Sequence, residues 1–300
     1  MISAIIITRN EERNVARTLN ALQDERITEI IVVDSNSSDS TVDVVQSIKD
    51  SRIKLNCYST PPFTPARGRY EGCSLMNKSN KYILFLDGDM EYDNNFTSIA
   101  INELENDIHL AGVLGQREER CYNDNNQLIS VDENFFKSKE LIIGGGLFIK
   151  MAEYLKTPGF NKNLINDEEG FLYCFFKENG VYFKRVEQRM FIHHTLIFSS
   201  KKHLLGRMAN SRLIFGFGVS FYYSVRKGFL FTAFCKRHRL TLTTGAWLFS
   251  ILFRFPIWII ISGALYLFWK YKFRARLFIN HSINFLSIPA GFIYATIKKL

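Results

Sequence analysis

The chain has 300 residues, 47% of them apolar and 22% charged, and a formal net charge of +9. That length holds one substantial domain with extra elements or two smaller ones, and the apolar content excludes global disorder. The charge is unevenly placed: from Lys201 onward sixteen Lys/Arg meet no Asp or Glu, whereas the first two hundred residues set 22 bases against 29 acids. Because the basic tail is interleaved with long apolar runs, it reads as a membrane-surface pattern and argues against nucleic acid as a partner.

Residues 2–8, "ISAIIIT", read as a buried strand, and the apolar spacing over 11–22 predicts a helix. The opening "MISAIIITRNEE" has no basic lead and ends in charge, so it reads as a strand and not as a signal peptide. A second strand spans Ile27–Asp34. "SNSSDST" is a turn in which Asp39 or Ser40 can cap a helix over 41–49. A third strand covers Ile53–Tyr58, "STPPFTP" is a rigid loop, 67–77 a helix, and 82–87 a fourth strand. Near-continuous apolar strands alternating with helices predict an α/β fold with a parallel sheet covered on both faces.

Residues 106–200 are mixed. "GGGLFIK" at 144–150 is a glycine turn feeding a strand or helix, and Asp167, Glu168 and Glu169 lead into an aromatic helix ended by Gly180. "VYFKRVEQRMFIHH" predicts one or two strands ending at His193 and His194. The tail, 201–300, carries Gly245–Trp269, 25 residues with Arg254 as their one charge, and the uncharged run Leu277–Ile297. The first run is long enough for a core of ~30 Å at ~1.5 Å per residue. Basic flanks on both sides of it, and Pro256 near its middle, leave a single span, a hairpin and an in-plane arrangement open. Residues 204–234 suit an amphipathic segment on an anionic surface. Five cysteines, never spaced CxxC, exclude a disulfide framework and a zinc knuckle and suit a reducing compartment.

In open α/β sheets ligands bind beyond the carboxyl ends of the strands, and there the polar residues gather: Thr8, Arg9, Asn10 and Glu11 after the first strand, Asp34 after the second, Asp87 and Asp89 after the fourth. "DGD" at a buried strand's end is otherwise hard to explain, because two close carboxylates repel and resist desolvation. By strand parity both side chains face one side, with Gly88 allowing close approach. Two hard oxygen donors so spaced fit Mg²⁺ or Mn²⁺ shared with substrate phosphates; the bland alternative is a solvated turn.

The first two hundred residues resemble the family 2 glycosyltransferases, which have the GT-A fold, through ordered motifs. "IIITRNEERNV", "IIVVDSNSSDST", "GRYEG", "FLDGDM", "GGGLFIKMAEYLKTPGF" and "EEGFLYCFFKENG" follow the family's order. Ile7, Arg9 and Phe175 depart from its usual Pro, Tyr and Arg. The resemblance implies a Rossmann-like mixed sheet flanked by helices, with 1–105 as the nucleotide-sugar half and 106–200 as the acceptor half. It assigns the nucleotide to Thr8, Arg9, Glu11, Asp34 and Asp87. It has Asp89 ligate the metal with Asp87 beside it, and Arg69 support the nucleotide. Asp34 as a turn cap and Arg69 as a surface helix residue stay open. By its distance from Gly180, Glu169 takes the place of the general base, with Glu168 and Asp167 as alternatives. His193 completes the metal site or is structural.

The expected activity is inverting, metal-dependent transfer of a sugar from a nucleoside-diphosphate donor to a hydroxyl of a lipid-linked or growing glycan at the cytoplasmic membrane face. Transfer onto polyprenyl phosphate is the enzymatic alternative. A catalytically inactive nucleotide-sugar sensor or scaffold is the alternative of another class.

Overall fold

The computed structural model describes residues 1–133, 145–165 and 168–196, and within the tail 219–220, 222–223, 225, 239–252, 261–267, 282, 288–289, 293 and 295–297. Two compact units emerge: Met1–Asn163 with Glu168–Ser200, and Leu164–Asp167 with Lys201–Leu300.

The first unit is built on a nine-stranded mixed sheet. Its first half is parallel: β1 (Ile2–Thr8), β2 (Ile27–Asp34), β3 (Ile53–Cys57) and β4 (Tyr82–Asp87) lie in the order β3-β2-β1-β4. All seven residues of β1 are buried, since β1 is central and covered on both faces. Side chains alternate between two cores, with Ala4, Ile6, Val32, Leu84 and Leu86 in one and Ile5, Ile31, Val33, Ile83 and Phe85 in the other. The register sets Thr8 opposite Asp34 and Ile7 opposite Asp87. The carboxyl ends of three strands therefore finish level, which places the polar residues together.

Helices α1 (Val15–Asn20), α2 (Thr41–Ser47) and α3 (Pro65–Leu75) connect these strands. The first is shorter than the periodicity of 11–22 predicts, because residues 12–14 form turns. The third starts two residues earlier than predicted: Thr64 Oγ1 accepts from the Arg67 backbone N–H at 3.2 Å, with Pro65 in the first turn. It lies hard against the sheet, since a Cβ on Gly72 would stand 2.5 Å from Ile5 Cγ2 and one on Gly68 2.9 Å from Ile7 Cγ2.

The second half turns antiparallel. β5 (Met90–Tyr92), α4 (Asn95–Asn106), β6 (Leu110–Tyr122), β7 (Leu128–Asp132), β8 (Leu147–Lys150), α5 (Met151–Leu155), α6 (Glu168–Glu178) and β9 (Tyr182–Leu196) follow in chain order. β8 pairs antiparallel with β4 and β6, and β9 runs parallel to β6 and antiparallel to β5. The "VYFKRVEQRMFIHH" segment is one strand and continues past both histidines to Leu196.

In the second unit, α7 (Arg239–Leu252) holds the start of the long apolar run. Among the described residues no helix is long and apolar enough to cross a membrane. A Cβ on Gly263 would meet Trp247 Cδ1 at 2.5 Å. Most of Leu277–Ile297 and of 204–234 lies outside the described residues.

Because α3 meets β1 through bare glycine, Gly72→Ala forces either Ile5 or the helix to shift. We expect a loss of ~1–3 kcal/mol in unfolding free energy, measured by equilibrium denaturation.

Candidate active site

Two loops at the ends of β1 and β2 are tied into one rim. Asn10, in the left-handed region at φ 57°, gives its N–H to Ser37 Oγ at 2.9 Å and accepts from the Ser38 N–H at 2.8 Å. The Glu11 N–H donates to Thr41 Oγ1 at 2.7 Å and the Glu12 N–H to Asp39 at 3.2 Å. Asp34 is buried and caps its own turn, accepting from the Ser37 N–H at 2.8 Å and from the Ser37 hydroxyl. Of the two roles open for Asp34, the geometry realises the turn cap; it leaves the nucleotide contact as a proposal.

Beside this rim stands an aromatic shelf that the strand and helix patterns do not reveal. Tyr58 and Phe63 stack with centroids 6.0 Å apart. The Arg9 guanidinium lies 4.9 Å from the Phe63 centroid and Arg67 lies 4.3 Å from that of Tyr58. "STPPFTP" offered the signal, a phenylalanine in a rigid loop at the end of β3.

Asp87 and Asp89 have different surroundings. Asp87 is the last residue of β4, but 88–89 form a turn, so strand parity stops at Asp87. The turn is pinned by the Gly88 N–H to the Ile7 carbonyl at 2.8 Å and by Thr18 Oγ1 to the Gly88 carbonyl at 2.9 Å. A side chain at Gly88 would strike Thr8 Oγ1, itself buried and without a hydrogen-bond partner. Asp89 Oδ2 lies 3.1 Å from His193 Nε2, so the structure brings those two predicted ligands together.

Asp87 instead joins a charge cluster around Arg69. The Arg69 side chain is 2% exposed; Nη2 lies 2.8 Å from Asp87 and 2.9 Å from Glu169, and Nη1 lies 2.6 Å from Glu168. Burial acts against a charged Arg69, yet Glu169, Asp87 and Glu168 outweigh it and raise its pKa above the ordinary value. Arg69 is thus no surface residue; α3 points it beneath the strand ends, where it holds carboxylates. Gly145 completes the enclosure: at φ +85°, a Cβ there would lie 2.7 Å from Asp87 Oδ2. Asp167, the third candidate base, lies outside the described residues.

One guanidinium cannot neutralise three carboxylates. Burial, then repulsion from Glu169, pushes Glu168 up to about 8 despite its bond to Arg69. Glu11 is pushed up to about 7, by burial and then by Asp89. Burial works against protonation of His193, but its bonds to Asp89 and Glu119 prevail and raise it to about 9.

Among the described residues no three His, Cys, Asp or Glu side chains converge as a ready cage for a metal ion. What the site does present is Asp89 Oδ1, buried and without a hydrogen-bond partner, beside the His193 imidazole. An open carboxylate oxygen with an imidazole in a region of surplus negative charge suits Mn²⁺ or Mg²⁺, which complete their shells with water and phosphate oxygens.

A raised carboxylate pKa favours the folded state while the group stays protonated, and that advantage fades as pH climbs from the ordinary 4.5 through about 8. Glu168→Gln, neutral throughout, is therefore expected to gain on the parent chain across that window, by at most ~1.4 kcal/mol per pH unit. Unfolding curves at pH 5, 6.5 and 8 check this.

The profile of glycosyl transferase family 2 matches residues 3–154. A curated relative, the Escherichia coli UDP-Glc:alpha-D-GlcNAc-diphosphoundecaprenol beta-1,3-glucosyltransferase WfaP, is 30% identical over 138 residues, 41% of this chain and 54% of its own. Among solved structures, Staphylococcus aureus TarS 1–349 in complex with UDP aligns at TM-score 0.52 with 17% identity, over 65% of this chain and 60% of its own. GalNAc-T7 with UDP, GalNAc and Mn²⁺ aligns at TM-score 0.52 with 12% identity, over 67% of this chain and 44% of its own. These structures share the fold, and the chain spans between 44% and 60% of each of the three relatives' lengths. With a family profile running through β1, the DGD turn and β8, over half of its residues, the chain belongs to glycosyl transferase family 2.

Proposed function

We propose that the chain is an inverting, metal-dependent glycosyltransferase that moves a sugar from a nucleoside-diphosphate donor to a hydroxyl of a lipid-linked or growing glycan. The observation that carries this is Arg69, which holds a carboxylate of the DGD turn and two carboxylates of α6 on one guanidinium. Donor-side and acceptor-side acids thereby face one space at the strand ends.

In this reading the nucleotide lies along the rim of Thr8, Arg9, Glu11 and Asp34, with the Tyr58–Phe63 shelf backing Arg9. Asp89 and His193 hold the cation, with Asp87 nearby. A divalent cation, when bound there, neutralises the diphosphate as it leaves. Glu169 accepts the acceptor hydroxyl proton as that oxygen bonds to the anomeric carbon and the bond from that carbon to the diphosphate oxygen breaks. Glu169 suits the task better than Glu168: its side chain is 13% exposed against 6%, and burial pushes Glu168 towards the neutral form. Arg69 acts through these acids, holding them in place.

The acceptor class draws support from the E. coli relative, whose name specifies a sugar on diphosphoundecaprenol, and the donor class from the UDP in that name. The sixteen uncompensated bases of the tail suit an anionic membrane face. Exposed Ile251, Ile261, Leu265, Ile293 and Ile297 add apolar contact area. Held at the cytoplasmic face, the tail would bring the site to a membrane acceptor.

The test is transfer from labelled UDP-sugars to membrane lipid extracts by detergent-purified protein with Mn²⁺ or EDTA. Glu169→Gln is expected to lower kcat by ~10²–10⁴-fold with donor KM little changed. Loss of no more than a few-fold would remove Glu169 as the base and point to an acceptor that is already an anion, such as a lipid phosphate.

A further inference from the structure

His193 stands in mid-sheet, opposite Met90 of β5 on one side and Glu119 of β6 on the other. Its Nε2 faces Asp89, and its Nδ1 lies 3.0 and 3.2 Å from the two Glu119 oxygens. Glu119 is itself buried and held: Arg117 Nε donates to Oε2 at 2.6 Å, and the Thr195 hydroxyl donates to Oε1. Arg117 Nη2 and Thr195 Oγ1 both also lie 2.9 Å from Nδ1. Arg117 Nη2 can only donate and crowds Nδ1, whereas the two Glu119 oxygens can accept an Nδ1 proton and hold that edge of the ring on the carboxylate.

Nε2 is the nitrogen that faces Asp89, at 3.1 Å. A cation bound at Asp89 would take the place of the Nε2 proton and leave the Nδ1 proton on Glu119. Asp89 Oδ1 is buried and unpartnered. A carboxylate on the far nitrogen is the device by which proteins fix the tautomer and orientation of a metal-binding histidine.

We propose that Glu119 is a positioning residue for the cation site: it clamps Nδ1 of His193 so that Nε2, with Asp89, presents a preformed pair of donors to Mn²⁺ or Mg²⁺. This rests on the metal-dependent reading above. Glu119 touches neither donor nor acceptor in this arrangement and acts only through His193. Were the contact with Glu119 mere packing between β6 and β9, loss of Glu119 would leave cation affinity unchanged.

The experiment titrates Mn²⁺ into the full chain in the presence of UDP and reads free Mn²⁺ by its electron paramagnetic resonance signal. Glu119→Ala is expected to weaken Mn²⁺ binding by ~10–100-fold. Glu119→Gln keeps a carbonyl oxygen for the Nδ1 proton and should restore part of that affinity. Asp89→Ala serves as the reference for a lost ligand. If Asp89→Ala loses Mn²⁺ while both Glu119 variants stay within about threefold of the parent, the role of Glu119 is overturned and the cation site stands. If Asp89→Ala binds Mn²⁺ like the parent, the cation site itself falls, and Glu119 with it. Should Glu119→Ala fail to fold, Glu119→Gln decides by the same threefold line, about the least that a positioning role predicts.

Discussion

A guanidinium taken out of water must be matched by negative charge nearby, and the site is organised around that requirement at Arg69. The need arises from helix packing. Bare glycine at 68 and 72 lets α3 lie against Ile5 and Ile7 of β1, and that close seat turns Arg69 inward beneath the strand ends. Once there it gathers Asp87 from β4 and Glu168 and Glu169 from α6, a hundred residues further along the chain. The same contact that stabilises a buried cation brings together acids from the two halves of the sheet.

The arrangement overshoots neutrality. Three acids on one base, with Asp89 and Glu11 close by, leave an excess of negative charge that folding alone does not call for. Protons absorb part of it, as the upward shifts of Glu168 and Glu11 show. A protein that tolerates such an excess at the mouth of its sheet leaves a place for positive charge from outside, the role proposed for a divalent cation. The mixed sheet serves the same end. Its parallel half levels Thr8, Asp34 and Asp87 through register, and its other half returns β9 beside β5 so that His193 arrives next to Asp89.

Much of this was legible from local pattern. β1, β2 and β4 declare themselves as apolar runs too continuous for a half-exposed sheet, and two acids at a strand end signal chemistry because stability disfavours them. β6 and β7 were not legible: "QREER" breaks any apolar alternation, and its charges are tolerated because Arg117 pairs with Glu119 and Arg120 with Glu118 within the strand. The burial of Arg69 among carboxylates was not legible, because a single arginine in a helix carries no mark of partners so distant in sequence. Strand parity does not reach Asp89, because β4 ends at Asp87 and the chain turns over 88–89 to start β5. The Tyr58–Phe63 shelf depends on loop geometry, which no periodicity encodes.

Arg69 ties the proposed donor-side carboxylate to the proposed acceptor-side ones. A double-mutant cycle on unfolding free energy, combining Asp87→Asn with Glu169→Gln, addresses it directly, since both acids bind the same Nη2. A shared arginine predicts a coupling of at least ~0.5 kcal/mol between the two substitutions. Additive effects would contradict it, for they would mean that the two acids do not share the arginine in the folded protein.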